Sequence, residues 1–364
     1  MTHKPENRKK LLYIMHVSWY WIKQRPHFLA LHLSNSFDTT ILYPKSVRYI
    51  RSKSSAPDNC KGIPQWPLSR FSFIKMLNKA LFRHAVKQKL KNTDILWIGN
   101  PDDFELISDL VAPDVKVVYD CMDDLCEFPG INASTLKNII SAEQQLINKA
   151  DVLLASSQHL KNVLQTRYQS AKPIEVVNNA IDISFLNVGK TNPVIEYPIK
   201  RDYTDILYIG TISEWFNFPL MLKAMNQFAS LRLILIGPKC APIPEHEHII
   251  HLGSKAHTDL PAYMAKCDAL VMPFVINDLI LAVNPVKLYE YLVAGKPVIT
   301  CHYAEIDPFG SFVFPYDSDE KFLEYIEKLI LGKLHAQPEA ERIMFLNNNT
   351  WAQRAALITS ILNG

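Results

Sequence analysis

The sequence predicts an α/β protein made of two doubly wound, parallel-sheet domains. Three observations carry that prediction. Short apolar and β-branched runs recur along the chain, and helix-like stretches separate them. The 364 residues also exceed the roughly 250 to 300 that a single hydrophobic core holds.

The strand-like runs come in two sets. The first is LLYIMHV, TTILYP, DILWIGN, VKVVYDC, VLLASS and IEVVNN; the second is DILYIGT, LRLILIG, IIHLG, ALVMPF, KPVIT and SFVFPY. Most are continuous in hydrophobicity rather than alternating, as parallel strands covered on both faces are. Helical stretches such as STLKNIISAEQQLINKA and DEKFLEYIEKLILG lie between them, which gives the strand–helix–strand repetition of doubly wound sheets. DILWIGN at 94–100 and DILYIGT at 205–211 nearly repeat one another, which suits two similarly built halves. The boundary is placed in NVGKTNPVIEYPIKRDY (187–203), a stretch with proline and charge but no periodicity. Domains are therefore expected at 1–188 and 189–342. The closing segment, 343–364, is expected to carry a helix with Thr350 as its N-cap that packs back on the first domain.

No apolar run approaches the roughly 20 residues of a membrane span, and the start, MTHKPENRKK, has no signal-peptide core. Cys60, Cys121, Cys126, Cys240, Cys267 and Cys301 form no CxxC pair. They read as reduced thiols of a cytoplasmic protein, without zinc or disulfides. The net charge of +3 hides an asymmetry: residues 1–100 hold 18 Lys and Arg against 4 Asp and Glu, whereas the remainder holds 21 against 32. The first 100 residues at +14 and the remainder at −11 point to an anionic partner for the N-terminal part: nucleic acid, a membrane surface or a phosphorylated substrate.

Six motifs then follow in order: WIKQRPHFLALHLS, YDCMDD, EQQLINKADVLLASSQHL, VVNNAID, LYIGTISEWFNF and PVKLYEYLVAGKPVI. Through them the chain resembles, over nearly its whole length, the bacterial GT-B nucleotide-sugar glycosyltransferases of capsule, exopolysaccharide and teichuronic-acid synthesis. The last motif is the most specific. The resemblance implies two Rossmann-like domains facing a central cleft. It also implies a metal-independent hexosyltransferase, without cofactor, that moves sugar from a nucleotide-sugar (UDP favoured) to a lipid-linked glycan.

The resemblance gives Glu290 the donor's ribose hydroxyls, and the chemistry agrees: a vicinal diol offers two donors to a carboxylate's two oxygens. Lys287, one turn earlier on the same helix face, is placed to reach the pyrophosphate, with the helix N-terminus adding positive potential. The plain alternative is an exposed i,i+3 ion pair. Many retaining members carry a second glutamate eight positions earlier; here Ala282 stands there. The sugar contact then falls to the Phe274–Asn284 loop, with Asn284 as the candidate, and inversion becomes the expectation. Gly210, Thr211 and Ser213 are expected to bring backbone N–H groups to the phosphates, and Lys239 to border the nucleobase. The alternative for that glycine is a simple turn.

YDCMDD ends a first-domain strand, where open α/β sheets bind ligands. An inverting transfer needs a base for the acceptor hydroxyl, and Asp123, then Asp120, are the candidates. A helix cap is the alternative. Gln24, Arg25 and His27 open the first helix. Arg25 is a candidate for an acceptor or donor phosphate, and His27 is a weaker alternative base. Lys75, Lys79, Arg83, Lys87 and Lys91 recur every four residues beside Phe73, Ile74, Leu77 and Leu81, with Trp66 and Phe71 ahead. This stripe over 66–91 predicts peripheral attachment to the inner face of an anionic membrane; a solvated helix packed on the sheet is the alternative.

A nucleotide-sugar epimerase on the same fold and a non-enzymatic binder of anionic ligands are the rival functions. The epimerase needs no membrane-facing basic surface, and the basic half lacks the aromatic signature of an RNA-binding sheet. A Rossmann dehydrogenase fails because no GxGxxG follows the first strand.

Overall fold

The computed structural model describes residues 8–21, 23–46, 56–67, 71–183, 185, 195–197 and 202–364. The chain divides into two compact units, residues 1–178 with 351–364, and residues 179–350.

The first unit holds a seven-stranded parallel sheet in the order β3-β2-β1-β4-β5-β6-β7. Its strands are β1 Lys10–Ile14, β2 Asp38–Ser46, β3 Cys60–Gln65, β4 Ile95–Ile98, β5 Lys116–Cys121, β6 Val152–Ala155 and β7 Ile174–Val176. The second unit holds a six-stranded parallel sheet in the order β10-β9-β8-β11-β12-β13. Its strands are β8 Thr204–Ile209, β9 Leu231–Ile236, β10 Ile249–His251, β11 Ala269–Met272, β12 Val298–Cys301 and β13 Phe314–Tyr316. In each unit the first strand lies inside the sheet and the order reverses beside it, at β1/β4 and β8/β11. In open α/β sheets such a reversal, outside the carboxyl ends of the strands, is where ligands bind.

A recurrent aspartate fixes strand register. Asp94, Asp151 and Asp268 each precede a strand, and their carboxylates accept from the N–H of Lys10 at 2.6 Å, Val117 at 2.7 Å and Asp205 at 2.7 Å. Each closes a backbone donor at the start of a neighbouring strand that would otherwise lack a partner. Buried apolar residues complete the layers; Tyr13 of β1 stacks on Trp97 of β4 with ring centroids 5.3 Å apart.

The boundary is sharp. Asn178 Nδ2 donates to the Ser156 carbonyl at 3.0 Å, and Arg354 Nε donates to the Asn178 carbonyl at 3.2 Å. The next residue belongs to the other unit: Asn179 N–H donates to Asn284 Oδ1 at 2.9 Å, and Asn179 Nδ2 to the Asn284 carbonyl at 2.7 Å. The division therefore falls at 178/179 rather than 188/189, because these two asparagines anchor opposite ways. The linker expected at 187–203 lies largely outside the described residues. The closing segment also splits. Helix Glu339–Asn347 packs on helix Val286–Val293 in the second unit, whereas helix Trp351–Asn363 packs on helix Arg25–Leu33 in the first. Trp351 and Phe28 stack there at 5.4 Å.

The basic stripe lies on helix Ser72–Leu90, which buries Asn78, Phe82, Val86 and Leu90. Lys75, Lys79, Lys87 and Lys91 are exposed. Arg83 is not part of a free cationic row: its guanidinium pairs with both Asp109 oxygens at 2.8 Å and donates to the Leu106 carbonyl. Trp66, Phe71, Phe73 and Met76 are exposed at the helix's beginning, where Asn78 holds the Trp66 backbone through two hydrogen bonds of 2.9 and 3.1 Å. Among the described residues no helix is long and apolar enough to cross a membrane.

Candidate functional site

The first unit sorts its three neighbouring aspartates into different environments. Asp120, on β5, is fully buried against Arg25. Arg25 Nε lies 3.1 Å from both Asp120 oxygens, Nη2 donates to Oδ1 at 2.7 Å, and Nη1 donates to the Val177 carbonyl at 2.6 Å. Asp120, a candidate base, and Arg25, a candidate phosphate ligand, are here each other's partners in a buried ion pair. Asp124 takes a bidentate pair from Arg167 at 2.7 Å on each arm and caps the Cys126 N–H at 3.1 Å. Asp123 differs: it is exposed and has no side-chain partner among the described residues. The protein around it still withdraws enough water to raise its carboxyl above the usual range; Arg25 opposes that shift and Asp124 adds to it.

His27 is buried at the head of helix Arg25–Leu33, where Nδ1 accepts from the Gln24 N–H at 3.3 Å and Nε2 reaches the Ser18 carbonyl at 3.2 Å. Both ring nitrogens are engaged, and burial lowers its pKa, so the neutral ring fastens Ser18 and Gln24 to the helix. The weaker candidate base is therefore held through both ring nitrogens, and Gln24, at the N-cap, is its backbone partner. One titratable group escaped notice in the sequence. Asp103 follows β4, and burial, then repulsion from Asp102, raise its pKa to about 7.

In the second unit, Glu290 and Lys287 lie on helix Val286–Val293, directly after the buried Pro285. Lys287 Nζ meets Glu290 Oε2 at 2.7 Å, and His257 Nε2 meets Oε1 at 3.0 Å. Glu290 is 6% exposed. Burial alone would raise its pKa, but the Lys287 charge and the His257 contact outweigh it and hold the carboxyl at about 2. The ion pair is therefore partly buried and three-membered, not an exposed couple. His257 sits on the short turn His257–Asp259 after β10. It lies 33 residues from Glu290 in sequence, so no local spacing announced it.

At the carboxyl end of β8, Gly210 lies against Gly237, whose φ of +142° and distance of 1.9 Å from a notional Cβ to the Gly210 carbonyl admit glycine alone. Ile212 bridges to Lys239, and its N–H donates to the Pro238 carbonyl at 2.9 Å. Thr211 and Ser213 are half-buried and Lys239 is exposed on this rim, so the loops after β8 and β9 run side by side. Asn284 does not join them as a ligand. Its amide is 3% exposed; Oδ1 serves Asn179, and Nδ2 donates to Glu305 at 3.1 Å. The candidate donor contact is thus engaged in a buried tie between Asn179 and Glu305. Ala282 is 1% exposed and brings no polar group. Among the described residues no group of three or more His, Cys, Asp or Glu is placed to hold a metal ion.

Residues 203–331 match the family described as glycosyl transferases group 1, a span that contains Gly210, Lys239, His257, Lys287 and Glu290. The matched residues lie within the second unit. Over 218 residues the chain is 28% identical to TuaH of Bacillus subtilis (strain 168), described as a teichuronic acid biosynthesis glycosyltransferase. That match covers 56% of this chain and 54% of TuaH, so the chain spans about half the length of this curated relative. Sucrose-phosphate synthase from Thermosynechococcus elongatus superposes with a TM-score of 0.74 at 12% identity, covering 98% of each chain. Anabaena HepE in complex with UDP gives 0.68 at 14% identity, over 98% of this chain and 99% of that one. These likenesses show the GT-B fold.

Proposed function

We propose that the protein is a glycosyltransferase that moves a hexose-type sugar from a nucleotide-sugar, UDP-linked by preference, to a lipid-linked glycan acceptor in bacterial surface-polysaccharide synthesis. The observation that carries this reading is the ionised, partly buried Glu290 held between Lys287 and His257 inside the group 1 domain. A carboxylate kept charged to about pH 2 accepts a ribose diol at any physiological pH. Lys287 has three N–H donors and spends one on Glu290, which leaves two for diphosphate oxygens. The rim of Gly210, Thr211, Ser213 and Lys239 completes the donor side. The UDP complex of HepE and the TuaH likeness support the donor class and the polymer class.

On the acceptor side, Asp123 is the proton acceptor. Unlike Asp120 and Asp124 it is unpaired, and its raised pKa brings it nearer the operating pH, where a general base is most effective. With alanine at 282, the reading is an inverting transfer, run without a metal: Lys287 and the helix N-terminus stabilise the leaving diphosphate. The first unit's exposed aromatic and basic end, with Trp66, Phe71, Phe73, Met76, Lys75 and Lys79, is the surface that meets an anionic membrane.

Calorimetric titration of UDP, GDP and dTDP into the parent and Glu290→Ala tests the reading. The lost charge-assisted pair should cost roughly 2 to 3 kcal/mol. Equal affinities in the two proteins would take Glu290 out of the donor site.

A further inference from the structure

We infer that His257 is a positioning residue for the donor nucleoside: it fixes the Glu290 carboxylate so that only a vicinal diol completes it. The inference rests on the donor-site reading of Glu290. An ionised carboxylate has about four lone-pair positions, two on each oxygen. His257 takes one on Oε1 at 3.0 Å and Lys287 takes one on Oε2 at 2.7 Å. About one position remains on each oxygen, which matches the two O–H donors of a ribose.

The donor holding Oε1 is itself held. The His257 ring lies 4.8 Å from the Phe185 ring, tilted by 42°, and Phe185 is 2% exposed. The imidazole is thus rigid at its apolar face while 22% of the side chain remains open. Its Nε2–H donates in the neutral tautomer and in the imidazolium alike, so the contact does not depend on His257's protonation state. The bond also joins two elements that the chain builds separately, the turn after β10 and helix Val286–Val293. A glutamate tethered by Lys287 alone, three residues away on its own helix, would keep freedom about its outer torsions. The histidine removes that freedom before the nucleoside arrives, which is how a preorganised site gains affinity.

The test is a double-mutant cycle read by calorimetry with UDP and with uridine, using His257→Leu, His257→Gln, Glu290→Ala and their combinations. His257→Leu should weaken UDP and uridine by the same factor, about tenfold, the worth of a hydrogen bond to a charged group. His257→Gln, which keeps an N–H donor, should recover most of it. In the Glu290 background His257→Leu should cost less than about twofold, because its partner is gone. Two results overturn the inference: parental affinity in His257→Leu while Glu290→Ala is weak, or an equal loss from His257→Leu in both backgrounds. Parental affinity in Glu290→Ala is a separate outcome that sinks the donor-site reading, and His257's role with it. Thermal midpoints within about two degrees across the set, against the roughly 2–4 °C per kcal/mol expected for larger domains, show that the losses are not unfolding.

Discussion

Arg25 and Asp120 form a sequestered ion pair: the guanidinium spans both carboxylate oxygens, and the two side chains are 4% and 0% exposed. The pair fastens the first helix to β5, and Nη1 extends the tie to the Val177 carbonyl beside β7. Two residues that read as chemistry in the sequence are thereby tied to stability as well. Removing one partner strands a buried charge, which costs about 3 to 5 kcal/mol. Arg25→Met and Asp120→Ala should each lower the unfolding free energy of the first unit by that amount, read as a lower urea midpoint, while Asp123→Asn does not lower it. Parental midpoints in both paired-residue variants would contradict the structural role.

Lys287 spends one donor on Glu290 and keeps two for phosphate. Lys287→Ala should then weaken UDP binding by about tenfold, as loss of a charge-assisted contact does, and weaken uridine far less. Titrations with the two ligands separate these effects. Equal losses for nucleoside and nucleotide would mean that Lys287 acts only by holding Glu290.

Much of the architecture was legible in the sequence because buried parallel strands are written as continuous apolar runs. Both sets of six runs became strands. β3 was missed: CKGIPQ contains Gly62 and Pro64, residues tolerated there because β3 lies at a sheet edge, where one side needs no ladder hydrogen bonds. Site residues were legible where spacing carries the geometry, as for Lys287 and Glu290 one helical turn apart. They were illegible where the contact is long-range. Nothing in YDCMDD says which aspartate faces Arg25 and which Arg167, since that depends on strand register and on a helix some forty residues away. His257 was invisible for the same reason, and so were the ties that Asn284, read as the sugar contact of the 274–284 loop, makes to Asn179 and Glu305.

Asp103 supplies a pH test. Its folded pKa of about 7 lies above the unfolded value near 3.9, so the folded protein binds that proton more tightly between those values. Stability from this group therefore falls as pH rises through the window from about 4 to 7, and stays lower above it. Asp103→Asn should abolish this fall and exceed the parent at pH 8 by on the order of 1 kcal/mol, allowing for solvent at a half-buried side chain. Urea midpoints at pH 5 and pH 8 measure it. The same pH difference in variant and parent would refute the assignment.

The exposed end of helix Ser72–Leu90 predicts where a bilayer would touch. Lys75→Glu with Lys79→Glu should release the protein from anionic vesicles, since each cation near such a surface contributes about 1 kcal/mol. Phe73→Ser with Met76→Ser should do so even at low salt. Arg83→Ala is the control: its charge is already taken by Asp109, so it should alter vesicle binding little. Co-sedimentation unaffected by the lysine and aromatic changes would assign this surface to solvent.

The chemical step turns on Asp123. Asp123→Asn preserves shape and hydrogen bonding but cannot take the acceptor's proton. Donor affinity should stay near parental while transfer falls about 10²- to 10⁴-fold, the usual worth of a positioned base. The structure changes what its neighbours control for. Asp120→Asn and Asp124→Asn weaken the pairs with Arg25 and Arg167, so they should lower stability along with turnover, whereas Asp123→Asn should leave stability intact. The base acts in the direct displacement expected with Ala282 in place of a second glutamate. In a front-face retaining transfer the leaving phosphate takes the proton, and Asp123 would do no more than orient the acceptor. The anomeric configuration of the product, read by NMR, separates the routes. An inverted product with transfer lost only in Asp123→Asn fits the base; a retained product with near-parental turnover in that variant removes it.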